Sequence, residues 1–228
     1  MDNYSQIAKK LYQQHDSYKE TTLANRYLKH KDTDALIQKL KSNSDFEITK
    51  IGESLEKRAI HTLKWGKGKT TLFLWSQMHG DEPTATMALF DIFNFLTQSD
   101  DEFEAFRTTL KQELGLCFLP VLNPDGTERF QRRTALNIDM NRDFLKAESV
   151  ETQHFKRIQK EIKADFSFNL HDQNPYYSVG YDAFPTAIAF LAPSYNYECA
   201  INTCRKKAMQ VTAFMSEMLE EFAPNLIA

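Results

Sequence analysis

Cysteine is scarce in this chain: three residues, Cys117, Cys199 and Cys204, among 228. So sparse and odd a set of thiols argues against a disulfide framework and fits a reducing cytoplasm, the expected location. Cys199 and Cys204 lie close together, but their spacing matches no common zinc signature, and they read as ordinary thiols near a helix start. An excess of one charge sign is also lacking. The formal net charge is −3, so nothing in the balance argues for nucleic acid or a membrane surface as a partner. No apolar run has the length of a transmembrane helix. The opening stretch, MDNYSQIAKKLYQQHDSYKE, lacks the apolar core of a signal peptide. Internal repeats and low-complexity segments are missing too. What is present is 42% apolar and 26% charged, the balance of a soluble globular chain long enough for one domain with a substantial core.

Residues 1–43 read as helical and polar, with Ile7, Leu11, Tyr12, Leu36, Ile37 and Leu40 at helical spacing. They are expected to form an N-terminal helical cap on a domain spanning 44–228. Residues 46–51 and 58–64 read as two antiparallel strands. The GKGK at 66–69 is glycine-rich like a phosphate loop, but the full Walker pattern of spaced glycines with Lys and Ser/Thr is missing, so it reads as a hairpin turn. A strand over 70–75 leads to a helix over 84–96, with Met87, Leu89, Phe90, Ile92, Phe93 and Leu96 as its apolar residues. An acidic break at 99–104 precedes a short helix to 113 and a buried strand over 114–122. A long polar stretch, 123–142, opens with an NPDG turn. Then come an amphipathic helix over 148–163, a strand over 164–170, a strand over 186–191 and a helix over 199–222. The last helix carries Ala208, Val211, Phe214, Met215, Met218 and Phe222 on its apolar side. Strands alternating with helices predict an α/β fold, a three-layer α/β/α domain with a mixed, largely parallel central sheet.

The stretch WSQMHGDEPT at 75–84 is the one the rest is organised around. It places His79 and Glu82 in the turn between a buried strand and a helix whose first residue is Pro83, the position that tolerates proline. That turn lies at the strand's carboxyl end, where open α/β sheets hold their ligands. Imidazole and carboxylate are zinc ligands, and catalytic zinc sites use three protein ligands and keep one position open. His171 is the natural third: it also follows an apolar strand, DFSFNL, and begins a polar loop. His15, His30, His61 and His154 sit in polar or helical contexts and read as surface residues.

The polar loop NPDGTERFQRRTALNIDMNRDF supplies Arg132, Arg133 and Arg142, with Asn141 beside Arg142 and Asp139 just before. Arginine takes a carboxylate through a planar two-toothed fork. A site for a free carboxyl terminus wants one such arginine with a short amide beside it, and a second arginine near a metal can stabilise an oxyanion.

His79-x-x-Glu82, the NPDG turn, Arg132, the D-x-N-R run to Arg142 and the strand-end His171, in that order, resemble the M14 zinc carboxypeptidase family (the carboxypeptidase A clan). The likeness covers roughly residues 70–192, and YYSVG…AIAFLAPSYN is similar to a bacterial subgroup. It implies a mixed eight-stranded sheet flanked by helices, and one zinc ion per chain held by His79, Glu82 and His171. It implies that Asn141 and Arg142 bind the substrate's terminal carboxylate. Arg132 polarises the scissile carbonyl, with adjacent Arg133 as fallback, and Asp139 orients the His79 ring from behind.

The family's general-base glutamate follows the third ligand on a late strand. Here the residues after His171 end in a helix whose Glu217, Glu220 and Glu221 match no strand-borne motif. The expectation is a chain truncated before that base. Asp172, next to His171, reads either as support for that ligand or as a stand-in base. Three functions stay open. One is a metallocarboxypeptidase acting on a peptide or small amino-acid-containing substrate through a zinc-activated water. The second is a zinc-dependent N-acyl amino-acid deacylase of the aspartoacylase type. The third is a non-catalytic zinc- or peptide-binding domain.

Overall fold

The computed structural model describes residues 2–173, 176, 187–221, 223 and 224. In chain order the elements are α1 (Asp2–Gln13), a 3-10 turn (His15–Ser17), α2 (His30–Leu40), β1 (Phe46–Glu53), β2 (Ala59–Trp65), β3 (Thr70–Trp75), α3 (Thr84–Thr97), α4 (Glu104–Glu113), β4 (Leu114–Leu119), α5 (Pro124–Arg129), α6 (Met140–Asp143), α7 (Val150–Ile162), β5 (Phe166–Asn169) and α8 (Thr203–Glu220). They fall into two compact units. One is Tyr18–Asp172, which holds the sheet; the other joins Met1–Ser17 to Gln173–Ala228.

In the first unit five strands form one mixed sheet in the order β1-β2-β4-β3-β5. The hairpin β1-β2 is antiparallel, with Phe46 opposite Trp65 and an irregularity between Lys50 and Gly52. β2 runs antiparallel to β4. β3 lies parallel to β4 on one side and to β5 on the other, so β4, β3 and β5 end at the same edge. Alternation along the strands divides their side chains between two faces. Phe73 and Trp75 turn to one face, where Phe155 of α7 meets them at ring-centroid distances of 5.6 and 4.8 Å. With Ile51, Ile60, Met78, Cys117, Leu119, Leu122, Met140 and Ile158 they make one buried cluster. Phe46 and Phe118 turn to the other face and meet Phe93 of α3 at 5.6 and 5.1 Å. Helix, sheet and helix therefore stack as three layers.

Local chemistry sets the helix ends. Ser149 caps α7 by accepting from the Thr152 N–H, and Lys163 closes it in the left-handed region at φ 50°. Pro124 opens α5, and the Asn123 side chain caps it through the Gly126 N–H.

Several details differ from the sequence reading. The polar stretch 123–142 contains the short helix α5 and most of α6. Pro83 is the cap before α3, and Thr84 is the first helical residue. Five strands are present among the described residues, against the eight that the resemblance implies. Residues 187–191 make an isolated bridge at Ile188 in place of a strand; Thr186 and Phe222 lie outside the described residues. An apolar run becomes a strand only where a neighbour supplies a ladder of hydrogen bonds. His61 is buried at 6% exposure, packed inside β2 near Asp34, and burial lowers its pKa. No helix among the described residues is long and apolar enough to cross a membrane.

Candidate metal centre

The carboxyl ends of the parallel strands carry the site. His79 lies four residues past the end of β3, and His171 two past the end of β5, whose Asn169 pairs with Trp75. The β3 turn is built tightly. Gln77 takes the left-handed backbone at φ 45°, a conformation that costs a non-glycine residue energy and persists where its surroundings over-determine it. Those surroundings are buried hydrogen bonds: Gln77 Nε2 donates to the Gly80 carbonyl at 3.1 Å and Gln77 Oε1 accepts from Thr86 Oγ1 at 3.0 Å. Gly80 sits against the NPDG turn, where a Cβ would come within 2.0 Å of a Gly126 backbone carbon. Only glycine allows the two turns to touch.

His79, Glu82 and His171 each offer a donor atom, and these atoms lie within 4.8 Å of one another. His79 Nδ1 is 2.8 Å from Glu82 Oε1 and His171 Nδ1 is 2.6 Å from Glu82 Oε2. The two rings stand 4.9 Å apart between centroids. Behind His79, Nε2 faces Asp139 Oδ1 at 3.3 Å. Arg132 closes the group: its Nε donates to Asp139 Oδ2 at 3.0 Å and its Nη1 to Glu82 Oε1 at 3.2 Å, while Nη1 lies 3.0 Å from His79 Nδ1.

The electrostatics follow from these contacts. Burial on its own would raise the Glu82 carboxyl. The hydrogen bonds and charges of His171 and His79 outweigh it and hold that carboxyl at about 2. Asp139 behaves alike: burial pushes up, but Arg132 and the Asn141 N–H prevail and its pKa is lowered.

This donor set fits a zinc ion. A neutral His79 has one ring proton and two carboxylates to face. With the proton on Nε2, pointing at Asp139, the bare Nδ1 lone pair faces Glu82 Oε1 as well as the Arg132 guanidinium. A cation shared by His79 Nδ1, Glu82 and His171 Nδ1 removes the conflict, because the proton then stays on Nε2 and points at Asp139. That is the arrangement metal-bound imidazoles generally need. Two nitrogens and one carboxylate are a catalytic zinc set with a position left over.

The structure brings Arg132 and Asp139 to this group and leaves Arg133 outside it. Arg133 is exposed, and its Nη1 donates to the Asn137 carbonyl at 3.0 Å. Asn141 and Arg142 lie on α6, whose cap is Asp139; Arg142 is exposed and makes no ion pair among the described residues. Asp143, on the same helix, is buried and accepts from the Glu148 and Ser149 N–H groups and the Ser149 hydroxyl. It ties α6 to the start of α7. Asp172 has both oxygens engaged: Oδ1 accepts from the Thr84 N–H, Oδ2 from Thr84 Oγ1 and Arg26. Sequence reasoning missed Gln77, Thr84, Thr86 and Arg26. None carries a local signal, since each acts through a partner the fold delivers.

Comparison with known proteins agrees with the geometry. A family model described as zinc carboxypeptidase matches residues 33–216. Carboxypeptidase 2 of Trichophyton tonsurans is 26% identical over 119 residues, which are 52% of this chain and 20% of that protein. A Pseudomonas aeruginosa metallo-carboxypeptidase, solved in complex with (2-guanidinoethylmercapto)succinic acid, superposes with TM-score 0.56 at 23% identity, over 63% of this chain and 39% of that one. Bovine thrombin-activatable fibrinolysis inhibitor, in complex with tick carboxypeptidase inhibitor, superposes with TM-score 0.63 at 16% identity, over 87% of this chain and 74% of that one. The chain thus spans about a fifth of the length of the fungal relative. With a family model covering most of its residues, this chain belongs to the zinc carboxypeptidase family.

Proposed function

We propose that this chain carries the metal-binding and arginine-bearing part of a zinc metallocarboxypeptidase, which hydrolyses a peptide or peptide-like amide next to a free carboxylate. The observation that carries the reading is the turning of both Nδ1 atoms toward Glu82, with a carboxylate behind the His79 ring. His79, Glu82 and His171 hold one zinc per chain. Zinc in such a set lowers the pKa of a bound water to about 7 and polarises a carbonyl oxygen.

The chain's own residues do the rest. Arg132 is half-exposed at 42% of its side chain and tethered by Asp139 and Glu82. It offers its guanidinium to the oxyanion that forms when the carbonyl becomes tetrahedral. Asn141 and Arg142 take the substrate's terminal carboxylate, Arg142 through its fork. Asp139 keeps the His79 proton on Nε2. The carboxylates of Glu82, Asp139 and Asp172 are all engaged, so none of these three is the proton acceptor.

A substrate panel tests the reading. Zinc-loaded protein is offered dipeptides with a free carboxyl terminus, the same dipeptides amidated, and N-acyl amino acids. Cleavage of the free dipeptides alone supports the carboxypeptidase; preference for N-acyl amino acids supports the aspartoacylase-type deacylase instead. Binding of (2-guanidinoethylmercapto)succinic acid, lost in Arg142→Ala, with no cleavage of any substrate in the panel would mean a binding domain. If Arg142→Ala strips the metal, the role given to Arg142 is wrong.

A further inference from the structure

We propose that Arg26, Thr84 and Asp172 form a clamp that positions His171 against Glu82 and so tunes the affinity of the metal site. The proposal rests on the zinc reading above and adds residues that reading does not use.

Helix α3 starts directly after the Glu82 turn, and its cap residue Pro83 supplies no side-chain hydrogen bond. The first free N–H of that helix, on Thr84, is satisfied from 88 residues away, by Asp172 Oδ1 at 3.0 Å. The Thr84 hydroxyl donates to the other oxygen at 2.9 Å. A carboxylate at a helix start is favoured by the exposed N–H groups and by the helix dipole. Asp172 follows His171 in the chain, so this cap draws the third ligand onto the turn that carries the second. The Asp172 backbone adds to it, its N–H reaching Glu82 Oε2 at 3.4 Å.

Arg26 completes the clamp. Its Nη2 donates to Asp172 Oδ2 at 2.8 Å. Arg26 itself is 58% exposed, whereas the Asp172 side chain is 7% exposed. The segment bearing Arg26 is fastened on both sides. The Glu20 N–H donates to Asp91 of α3 at 2.7 Å, and Tyr27 packs on Phe130 at 4.5 Å. Leu23 and Leu28 are buried within it. The guanidinium is therefore presented to Asp172 from a fixed segment, and these three are positioning residues.

The test is zinc affinity of the full chain, stripped of metal and then titrated with zinc against a chromophoric chelator, with the melting temperature of the metal-free protein measured alongside. Asp172→Asn keeps the shape but loses the charge; it should weaken zinc by about 10- to 100-fold, the range for residues that orient metal ligands. Arg26→Ala removes a largely exposed partner and should weaken zinc about two- to fivefold, as fits a surface ion pair, with the metal-free melting temperature unchanged. Arg26→Lys should restore most of that loss. Wild-type zinc binding with unchanged affinity in both Asp172→Asn and Arg26→Ala would overturn the clamp and leave the metal site standing. Failure of the wild-type chain to bind zinc would overturn the metal site, and the clamp with it.

Discussion

Asp139→Asn isolates the contact that gives the metal centre its orientation. In the wild-type chain Asp139 Oδ1 faces His79 Nε2 at 3.3 Å and accepts the Asn141 N–H at 2.9 Å, while Oδ2 accepts from Arg132 Nε at 3.0 Å. The amide is nearly isosteric, so packing is kept. It carries no charge and one acceptor, and must turn its NH2 toward either His79 or Arg132, both donors. One of the two charge-assisted contacts is lost in either orientation, and His79 is freed to move its proton to Nδ1, the atom that faces Glu82. Loss of such an orienting partner weakens metal binding about 10- to 100-fold, or about 1.4–2.8 kcal/mol. Competition with a chelator of known zinc affinity measures it, and circular dichroism shows whether the variant is folded. A folded Asp139→Asn protein that binds zinc as tightly as wild type would refute the reasoning, because His79 would then need no partner behind it.

Other consequences follow from the same contacts. Phe155→Ala should cost about 3–5 kcal/mol, because Phe155 is fully buried between Phe73, Trp75 and Phe144; chemical denaturation with less than 1 kcal/mol of loss would contradict the packing. Burial pushes the Cys117 thiol up to about 12, whereas Cys199 and Cys204 are exposed. Native protein should therefore show two thiols to a colourimetric reagent and denatured protein three; three in the native state would contradict the burial. The depressed Glu82 carboxyl links stability to acid. Its stabilising charge is fully present above 4.5 and is lost in metal-free protein as pH falls toward about 2. Glu82→Gln should flatten that part of the acid-unfolding curve, and an unchanged acid midpoint would show that the histidines do not hold the carboxylate.

Much of the fold is legible in the sequence wherever a segment's neighbours are like itself. The run TTLFLW is apolar and β-rich, and it forms β3 at the expected residues. The amphipathic pattern of α7 is equally plain, with Ser149 and Lys163 marking its ends. His79, Glu82 and His171 meet because each follows a strand of the same parallel set. Elsewhere the sequence gives no such cue. α5 and α6 are six and four residues long, too short for a helical period to show, and they stand on caps from Asn123 and Asp139. The run at 187–191 has a strand's composition but makes no ladder among the described residues. His61 looks polar in sequence and is buried because both faces of β2 are covered, with Asp34 near its ring. Arg26 reaches Asp172 across 146 residues, a distance over which no periodicity carries information.

The most direct test of the account is the zinc content of the purified 228-residue chain beside that of His79→Ala, both loaded with zinc and dialysed before metal analysis. The account predicts one zinc per wild-type chain and none retained by the variant. A wild-type chain that leaves dialysis without zinc, or a His79→Ala chain that keeps it, would contradict the assignment of His79, Glu82 and His171 as the metal ligands.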